Sequence, residues 1–335
     1  RSQTPITQSV KEKISMNANV PVEGVFNTYD VDNIYRLPLF YREQGIDEAI
    51  LRHLGLAQRH KVNGSRSLRD WTGKNLSQPK GEVTIGIAGK YTGTSDTYIS
   101  IVKALEHSGL AAGKKVKVRW IETTELETGK AKIGEVMEGI DGILIPGGFG
   151  SRGVEGKIVC VNYARTNNIP FLGICYGFQM AVIEFCRSVC GIKSANTEEV
   201  KKDPANNVIC ILPEQEEVEG LGGTLRLGGF DVMLRKGTLA HELYGKRGSV
   251  RERFRHRYNV NTKFIDALEK NGLVFSGMAP TKRIMQILEL PGHPFFVGTQ
   301  YHAEFTSRPL KPNPLYLGFV KAAIKKKENN SREHK

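Results

Sequence analysis

From residue 82 onward the chain alternates short apolar runs with stretches of helical apolar spacing. Residues 83–88 read as a buried strand, 96–107 repeat apolar positions at helical intervals, and 115–121 read as the next strand, with a helix after it around 132–138. Residues 142–146 give a third strand, 155–167 a third helix, and 169–174 a fourth strand that opens on another helix at Gly177. Strands and helices alternating at this spacing predict an α/β fold, an open, mostly parallel sheet with helices on both faces. Ligands then bind beyond the carboxyl ends of the strands, where Cys175 and the stretch Pro146-Gly147-Gly148-Phe149-Gly150 both fall. After Cys190 the pattern becomes hairpin-like, with strands expected at 208–212, 222–229, 231–234, 273–278, 283–290 and 295–300. Helices are expected at 262–270 and 315–325, so the sheet gains antiparallel additions.

Two segments of different character come first. Residues 1–57 carry an amphipathic piece at 11–20, a strand-like 24–29, a run at 31–39 that meets a proline stop, and a closing helix at 46–54. Their apolar residues are too few for an independent core, so they read as the end of a domain whose beginning lies elsewhere. Residues 58–81 are polar with Gly, Ser and Pro, the composition of a linker, with one helical turn around Trp71. The main domain then covers 82–325, and 326–335 is a basic tail expected to be disordered. The chain opens on Arg1 rather than methionine and reads as a piece of something longer.

Composition narrows the class. With 39% hydrophobic and 25% charged residues the chain is an ordinary soluble globular protein. No apolar run approaches the roughly 20 residues a bilayer span requires, and no secretory signal is present. The five cysteines are odd in number and lack metal-ligand spacing, which fits a reduced, cytoplasmic setting; Cys186 and Cys190 read as packed thiols. The net charge of +13 collects at Lys325-Lys326-Lys327 and at Arg247, Arg251, Arg253, Arg255 and Arg257. No nucleic-acid motif accompanies it, and anionic small molecules such as nucleotides explain it equally well, so no nucleic acid or membrane partner is expected.

Three stretches carry chemistry. Gly173-Ile174-Cys175-Tyr176-Gly177 is the cysteine form of the nucleophile elbow, a sharp turn that lifts a reactive atom out of the end of a buried strand. Glycines flank it because a Cβ there would clash, and the helix N-terminus that follows favours a thiolate. His302 and Glu304 stand two apart at the end of an apolar strand. In extended geometry they face one side, so the carboxylate can orient the imidazole toward a nucleophile. His-x-Glu alone is weak, and a buried structural thiol is the plain reading of Cys175; together they complete a Cys–His–carboxylate set. The glycines at 147, 148 and 150 leave backbone N–H groups open to an oxygen, as an oxyanion hole requires, with the Tyr176 N–H as a second donor. Residues 148–153 also match Gly-x-Gly-x-x-Gly, but no acidic residue follows about 20 positions on, so a dinucleotide site is rejected.

In this order the motifs resemble the class I glutamine amidotransferases and, within that class, the CTP synthases. Further matches are Tyr-Asp-Val-Asp-Asn-Ile-Tyr-Arg-Leu-Pro at 29–38, Gly-Ile-Ala-Gly-Lys-Tyr at 86–91, 150–156, Ala195-Asn196, 221–228 and Arg-His-Arg-Tyr-Asn-Val at 255–260. The resemblance implies a flavodoxin-like glutaminase domain at 82–325, preceded at 1–57 by the remnant of an amidating (synthetase) domain. It implies Cys175 as nucleophile, His302 as general base and acid, and Glu304 as its orienter. L-glutamine and its oxyanion would be held by Gly148, Tyr176, Gly177, Phe178, Gln179, Glu199 and Arg257, and Lys13 and Asp30 would line a nucleotide site. The full-length enzyme would make CTP from UTP with ATP and Mg2+, form a homotetramer and respond to GTP near Gly148-Phe149. No cofactor or metal is expected on this piece.

Three departures follow. The P-loop and magnesium carboxylates of the synthetase domain are absent, so this piece alone is not expected to make CTP. Ala303 stands where the family carries proline, with little effect expected, and 213–220 are short for a GTP-responsive lid. The competing readings are the amidotransferase half of another biosynthetic enzyme and a non-enzymatic binding module on the same fold. The matches at 29–38 and 255–260 weigh against the first, and retention of Cys175, His302 and Glu304 together weighs against the second.

Overall fold

The structure, a computed structural model, describes residues 1–56, 68, 70, 71, 73, 79–90, 93, 95–203, 205–211 and 226–333. The chain divides into two compact units, Arg1–Gln78 and Pro79–Lys335. Most of the expected linker and the short segment 213–220 fall outside the described residues.

In the first unit, helix α1 (Gln8–Ala18) starts at Thr7, whose hydroxyl accepts from the Val10 amide, and ends at Asn19 in the left-handed region. Helices α2 (Leu37–Glu43) and α3 (Ile46–His53) follow. Pro38 lies in the first turn of α2, where its missing N–H has no partner to lose; it opens this helix instead of stopping the run before it. No strand forms at 24–29: a 3-10 turn at Val22–Gly24 and a single bridge from Ser2 to Tyr29 occupy that stretch. Among the described residues of this unit only Val25 and Asn27 are buried, while Met16, Ile34, Ile50 and Leu54 are exposed.

The second unit contains, in chain order, β1 (Glu82–Gly89), α4 (Ile99–Ala112), β2 (Lys115–Glu122), α5 (Thr123–Glu127), α6 (Ile133–Met137), β3 (Gly142–Ile145), α7 (Val154–Thr166), β4 (Phe171–Ile174), α8 (Tyr176–Ser188), β5 (Asn196–Thr197), β6 (Asn207–Cys210), β7 (Arg226–Leu234), α9 (Leu239–Leu243), β8 (Ser249–His256), β9 (Asn259–Val260), α10 (Thr262–Lys270), β10 (Val274–Met278), β11 (Met285–Glu289), β12 (Phe296–Thr299) and α11 (Pro314–Glu333). Among the described residues one sheet runs β2-β1-β3-β4-β12-β11-β10-β7-β8 and a small one runs β5-β6-β9. The first five strands of the large sheet are parallel and the rest antiparallel. Apolar layers cover both faces. Val83, Ile85 and Ile87 of β1 pack with Leu105, Phe319 and Val320, while Ala88 joins Ile158, Phe178 and Ile183 on the other side. Each large side chain fully buried in this way contributes about 1.5–3 kcal/mol.

Two differences from the expected layout have clear causes. The arginine-rich segment forms β8, with Val250, Glu252, Phe254 and His256 inward and Arg251, Arg253 and Arg255 outward. The arginines are thus the solvent face of a half-buried strand. The basic tail does not fray at Lys325, since α11 continues to Glu333. Lys326 donates to the Ile140 carbonyl at 3.3 Å, Lys327 lies 3.6 Å from Asp141, and Glu328 lies 3.8 Å from Lys114. These partners dock charges that the sequence alone left to solvent.

The crossing of α8 over the sheet is closer than a side chain allows. A Cβ on Gly177 would stand 2.3 Å from the Ile145 carbonyl oxygen, and one on Gly173 would stand 2.7 Å from the Gly177 backbone. Gly177→Ala is therefore expected to destabilise by about 1–3 kcal/mol in urea unfolding, because backbone must move. Gly134→Ala, in open space on α6, is expected to be neutral or to stabilise by up to about 1 kcal/mol.

Candidate active site

Cys175 is the hinge between β4 and α8 and has φ 50°, ψ −94°, a strained setting for a residue with a Cβ. Its amide donates to the Thr299 carbonyl at 2.6 Å, and its carbonyl accepts from the Gln179 amide at 3.2 Å. The thiol lies 3.8 Å from the Arg255 carbonyl, with the Gln300 side-chain amide 3.7 Å away. These contacts join β4, β8 and β12 around one sulfur.

His302 follows β12, and its amide donates to the Arg253 carbonyl at 2.8 Å. Its Nδ1 lies 2.8 Å from Glu304 Oε1. The contact expected from the sequence is present, but its geometry differs: His302 has φ −96°, ψ 85°, and Glu304 sits in the 3-10 turn Ala303–Thr306. The chain turns, rather than running straight, to bring the two together. Burial of His302 disfavours its charged form, yet hydrogen bonds to Cys175 and Glu304 outweigh that and push its pKa up to about 10. Gly147 lies against both partners: a Cβ there would stand 2.8 Å from His302 Cε1 and 3.6 Å from Cys175 Cβ.

These groups open on a cavity of about 380 Å³, lined also by Gly148, Phe149, Lys90, Lys157, Arg255 and Phe305. The glycine loop beside it is clamped from two directions. The Gly150 amide donates to Glu199 Oε1 at 2.8 Å, and the Tyr176 hydroxyl donates to the Gly150 carbonyl at 2.6 Å. Burial raises the pKa of Glu199, against the pull of the Gly150 amide, Lys90 and Arg257. The other expected glutamine-binding residues divide. Gly148 faces the cavity. Phe178 is fully buried in the core, so only its backbone is available, and the Gln179 side chain donates to the Tyr258 carbonyl at 3.2 Å within the interior. Glu199, Arg257 and Gln179 are not among the residues that line the cavity. In the first unit Asp30 pairs with Arg1 at 2.9 Å and Lys13 is exposed on α1.

Sequence reasoning missed Lys157 and Gln300. Lys157 is 2% exposed, and its ammonium donates to Thr123 and Gly153 at 3.4 and 3.2 Å; burial lowers its pKa to about 8. A lysine one turn into α7 has the pattern of an ordinary surface position, and only the fold reveals the burial. Gln300, just ahead of Tyr301-His302, was read only as the end of a strand and carried no chemical signature.

The sequence model of the family described as glutamine amidotransferase class-I matches residues 94–322. The chain belongs to that family. A second model, CTP synthase N-terminus, matches residues 1–56 of this amidotransferase. The CTP synthase of Pyrococcus abyssi is 46% identical over 338 aligned residues, covering 100% of this chain and 61% of its own length. That of Bacillus subtilis is 44% identical over 329 residues, covering 97% and 59%. The chain thus spans about three fifths of these curated relatives. A solved glutaminase domain of the Trypanosoma brucei CTP synthase, with acivicin bound, superposes with a TM-score of 0.68 at 38% identity, covering 72% of this chain and 94% of that one.

The His302 setting gives this amidotransferase a signed pH dependence. A folded pKa raised from 6.5 to about 10 means that the interaction adds stability fully below pH 6.5 and loses it as pH rises through about 10. The stability difference between wild type and His302→Asn, measured by urea unfolding, should be largest below pH 6.5 and shrink across that window. A difference that grows with pH would contradict the assignment.

Proposed function

We propose that this chain hydrolyses L-glutamine through Cys175, His302 and Glu304 and supplies the ammonia to a CTP-forming reaction in the whole protein. The observation that carries the reading is the convergence on one cavity of a cysteine at a strained elbow, a histidine, and a carboxylate 2.8 Å from the Nδ1 of that histidine. The Cys175 sulfur attacks the side-chain carboxamide carbon, and electrons move onto the carbonyl oxygen. The backbone N–H groups of Gly148 and Tyr176 would receive that oxyanion, the Gly150 amide being held by Glu199. His302, holding the proton taken from the thiol, passes it to the departing nitrogen, and ammonia leaves a thioester. Water then attacks the thioester with His302 as base, releasing glutamate and restoring the thiol. Glu304 holds the ring orientation throughout.

Glu199 and Arg257, which lie outside the cavity lining, carry charges suited to the ammonium and carboxylate of glutamine, and Gln179 and the Gly177–Phe178 backbone are proposed to bind it beside them. The likeness to CTP synthases along the chain supports UTP as the acceptor in the whole protein, with ATP and Mg2+ serving the amidating part, CTP as product, GTP as activator and a homotetramer as the assembly. Lys13 and Asp30 are proposed as nucleotide-site residues of that part.

Incubation with a glutamine-mimicking electrophile, followed by peptide mass spectrometry, tests the glutaminase reading. A single adduct on Cys175 that excess glutamine suppresses is expected; labelling spread over the five cysteines, or unaffected by glutamine, overturns it. Replacing Gly148 by proline is expected to cost on the order of 10²–10³ in glutaminase kcat through loss of the oxyanion geometry.

A further inference from the structure

Strand β8 carries a carboxylate in its inward, otherwise largely apolar row: Glu252, 4% exposed between Val250 and Phe254. Donors from three separate segments converge on it. The Tyr244 hydroxyl, just after α9, donates to Oε1 at 2.8 Å, Asn313, just before α11, donates to Oε1 at 3.2 Å, and the Thr306 hydroxyl donates to Oε2 at 2.9 Å. Asn313 also donates to Thr306 at 2.9 Å, and the Tyr301 and Tyr244 hydroxyls are 3.0 Å apart. No cationic side chain pairs with Glu252 among the described residues. Burial raises its pKa to about 7 despite these donors, and neighbouring Glu304 adds to the rise. A carboxylate held here only by neutral groups is costly compared with a neutral or apolar filler of the same size.

The position gives control over the turn that bears the triad carboxylate. Thr306 closes the 3-10 turn Ala303–Thr306 on which Glu304 sits. Arg253, the residue after Glu252, receives the His302 amide on its carbonyl at 2.8 Å. Two consecutive residues of β8 therefore hold the two ends of the segment 302–306. Glu304 needs this support, because its Oε1 is committed to His302 while its buried Oε2 has no hydrogen-bond partner among the described residues.

We propose that Glu252 is a positioning residue for the His302–Glu304 pair, fixing through Thr306 the turn that carries Glu304. This rests on the glutaminase reading above. The titratable groups facing Glu252 are Tyr244, Tyr301 and Glu304, and burial keeps both tyrosines neutral. Those facing His302 are Cys175, Glu304 and His256.

The test compares Glu252→Gln and Thr306→Val in the full-length protein, by glutaminase kcat and KM across pH and by NMR titration of His302 with 13C-labelled histidine. Glu252→Gln is expected to lower kcat on the order of 10–100-fold, as loss of an orienting partner does elsewhere, with KM for glutamine within about twofold. Its His302 pKa should fall, because a Glu304 carboxylate loosened from the ring supports the charged imidazole less. Thr306→Val, which cuts the same link from the turn side, should lower kcat and the His302 pKa in the same direction and by less, since Asn313 and Tyr244 still hold Glu252. Unchanged kcat and His302 titration in Glu252→Gln would overturn the proposal. So would a loss of thermal midpoint, with kcat and KM declining together and the His302 titration unmoved, since that marks a purely structural group. A wild type without glutaminase activity would sink the glutamine reading instead, and the NMR titration would still decide whether Glu252 sets the pair.

Discussion

The site depends on the closeness with which α8 crosses the sheet. Gly177 faces the Ile145 carbonyl at a distance no Cβ can share, and Gly173 stands under Gly177 in the same way. With both contacts in place the chain leaves β4 through a single residue, and that residue takes φ 50°. The strain is local and is held by bonds on both sides, from the Cys175 amide to Thr299 and from the Gln179 amide to Cys175. A relaxed turn would sink the sulfur into the layer between β4 and α8. The tight one presents it at the carboxyl ends of the parallel strands, where the loops after β3 and β12 also arrive.

Electrostatics then favours one arrangement of protons. Burial alone would leave His302 neutral, but its bonds to Cys175 and Glu304 reverse that preference. The reversal requires both partners in register, and their register is supplied by strands that carry no triad residue. Arg253 and Arg255 of β8 accept from the His302 amide and approach the Cys175 thiol with their backbone carbonyls. The same strand turns its arginine side chains to solvent. One strand thus supplies both the surface charge evident in the composition and the backbone frame of the site.

Much of this was legible. Continuous runs such as Val83 to Ala88 mark strands buried on two faces, and the Gly-x-Cys-x-Gly spacing marks a turn with a steric reason for each glycine. His302 and Glu304 were identified correctly as neighbours, although by way of an extended geometry that the chain does not adopt. A two-residue spacing reports proximity more securely than conformation, because a 3-10 turn and a strand both bring such side chains within reach. The burial of Lys157 and the inward carboxylate of β8 were hidden for a related reason. Each has the local pattern of a surface residue, and the partners that hold it lie far away in the sequence: Thr123 for Lys157, and Thr306 and Asn313 for Glu252. The docking of the basic end of α11 on Ile140 and Asp141 is legible only in the fold as well.

Glu199 braces the glycine loop from outside the cavity. Its Oε1 accepts the Gly150 amide and so fixes the end of the glycine loop beside the cavity. If the same carboxylate meets the ammonium of glutamine, the cation favours the charged form that burial disfavours. An ionised Glu199 grips the Gly150 amide more firmly than a protonated one, because a charged acceptor makes the stronger bond. Binding at the amino-acid end of the substrate would then act on the same side chain that holds the loop at its carboxamide end. A ligand that offers the carboxamide without the ammonium would leave the loop as it stands, so the two ends of glutamine would be read together through one side chain.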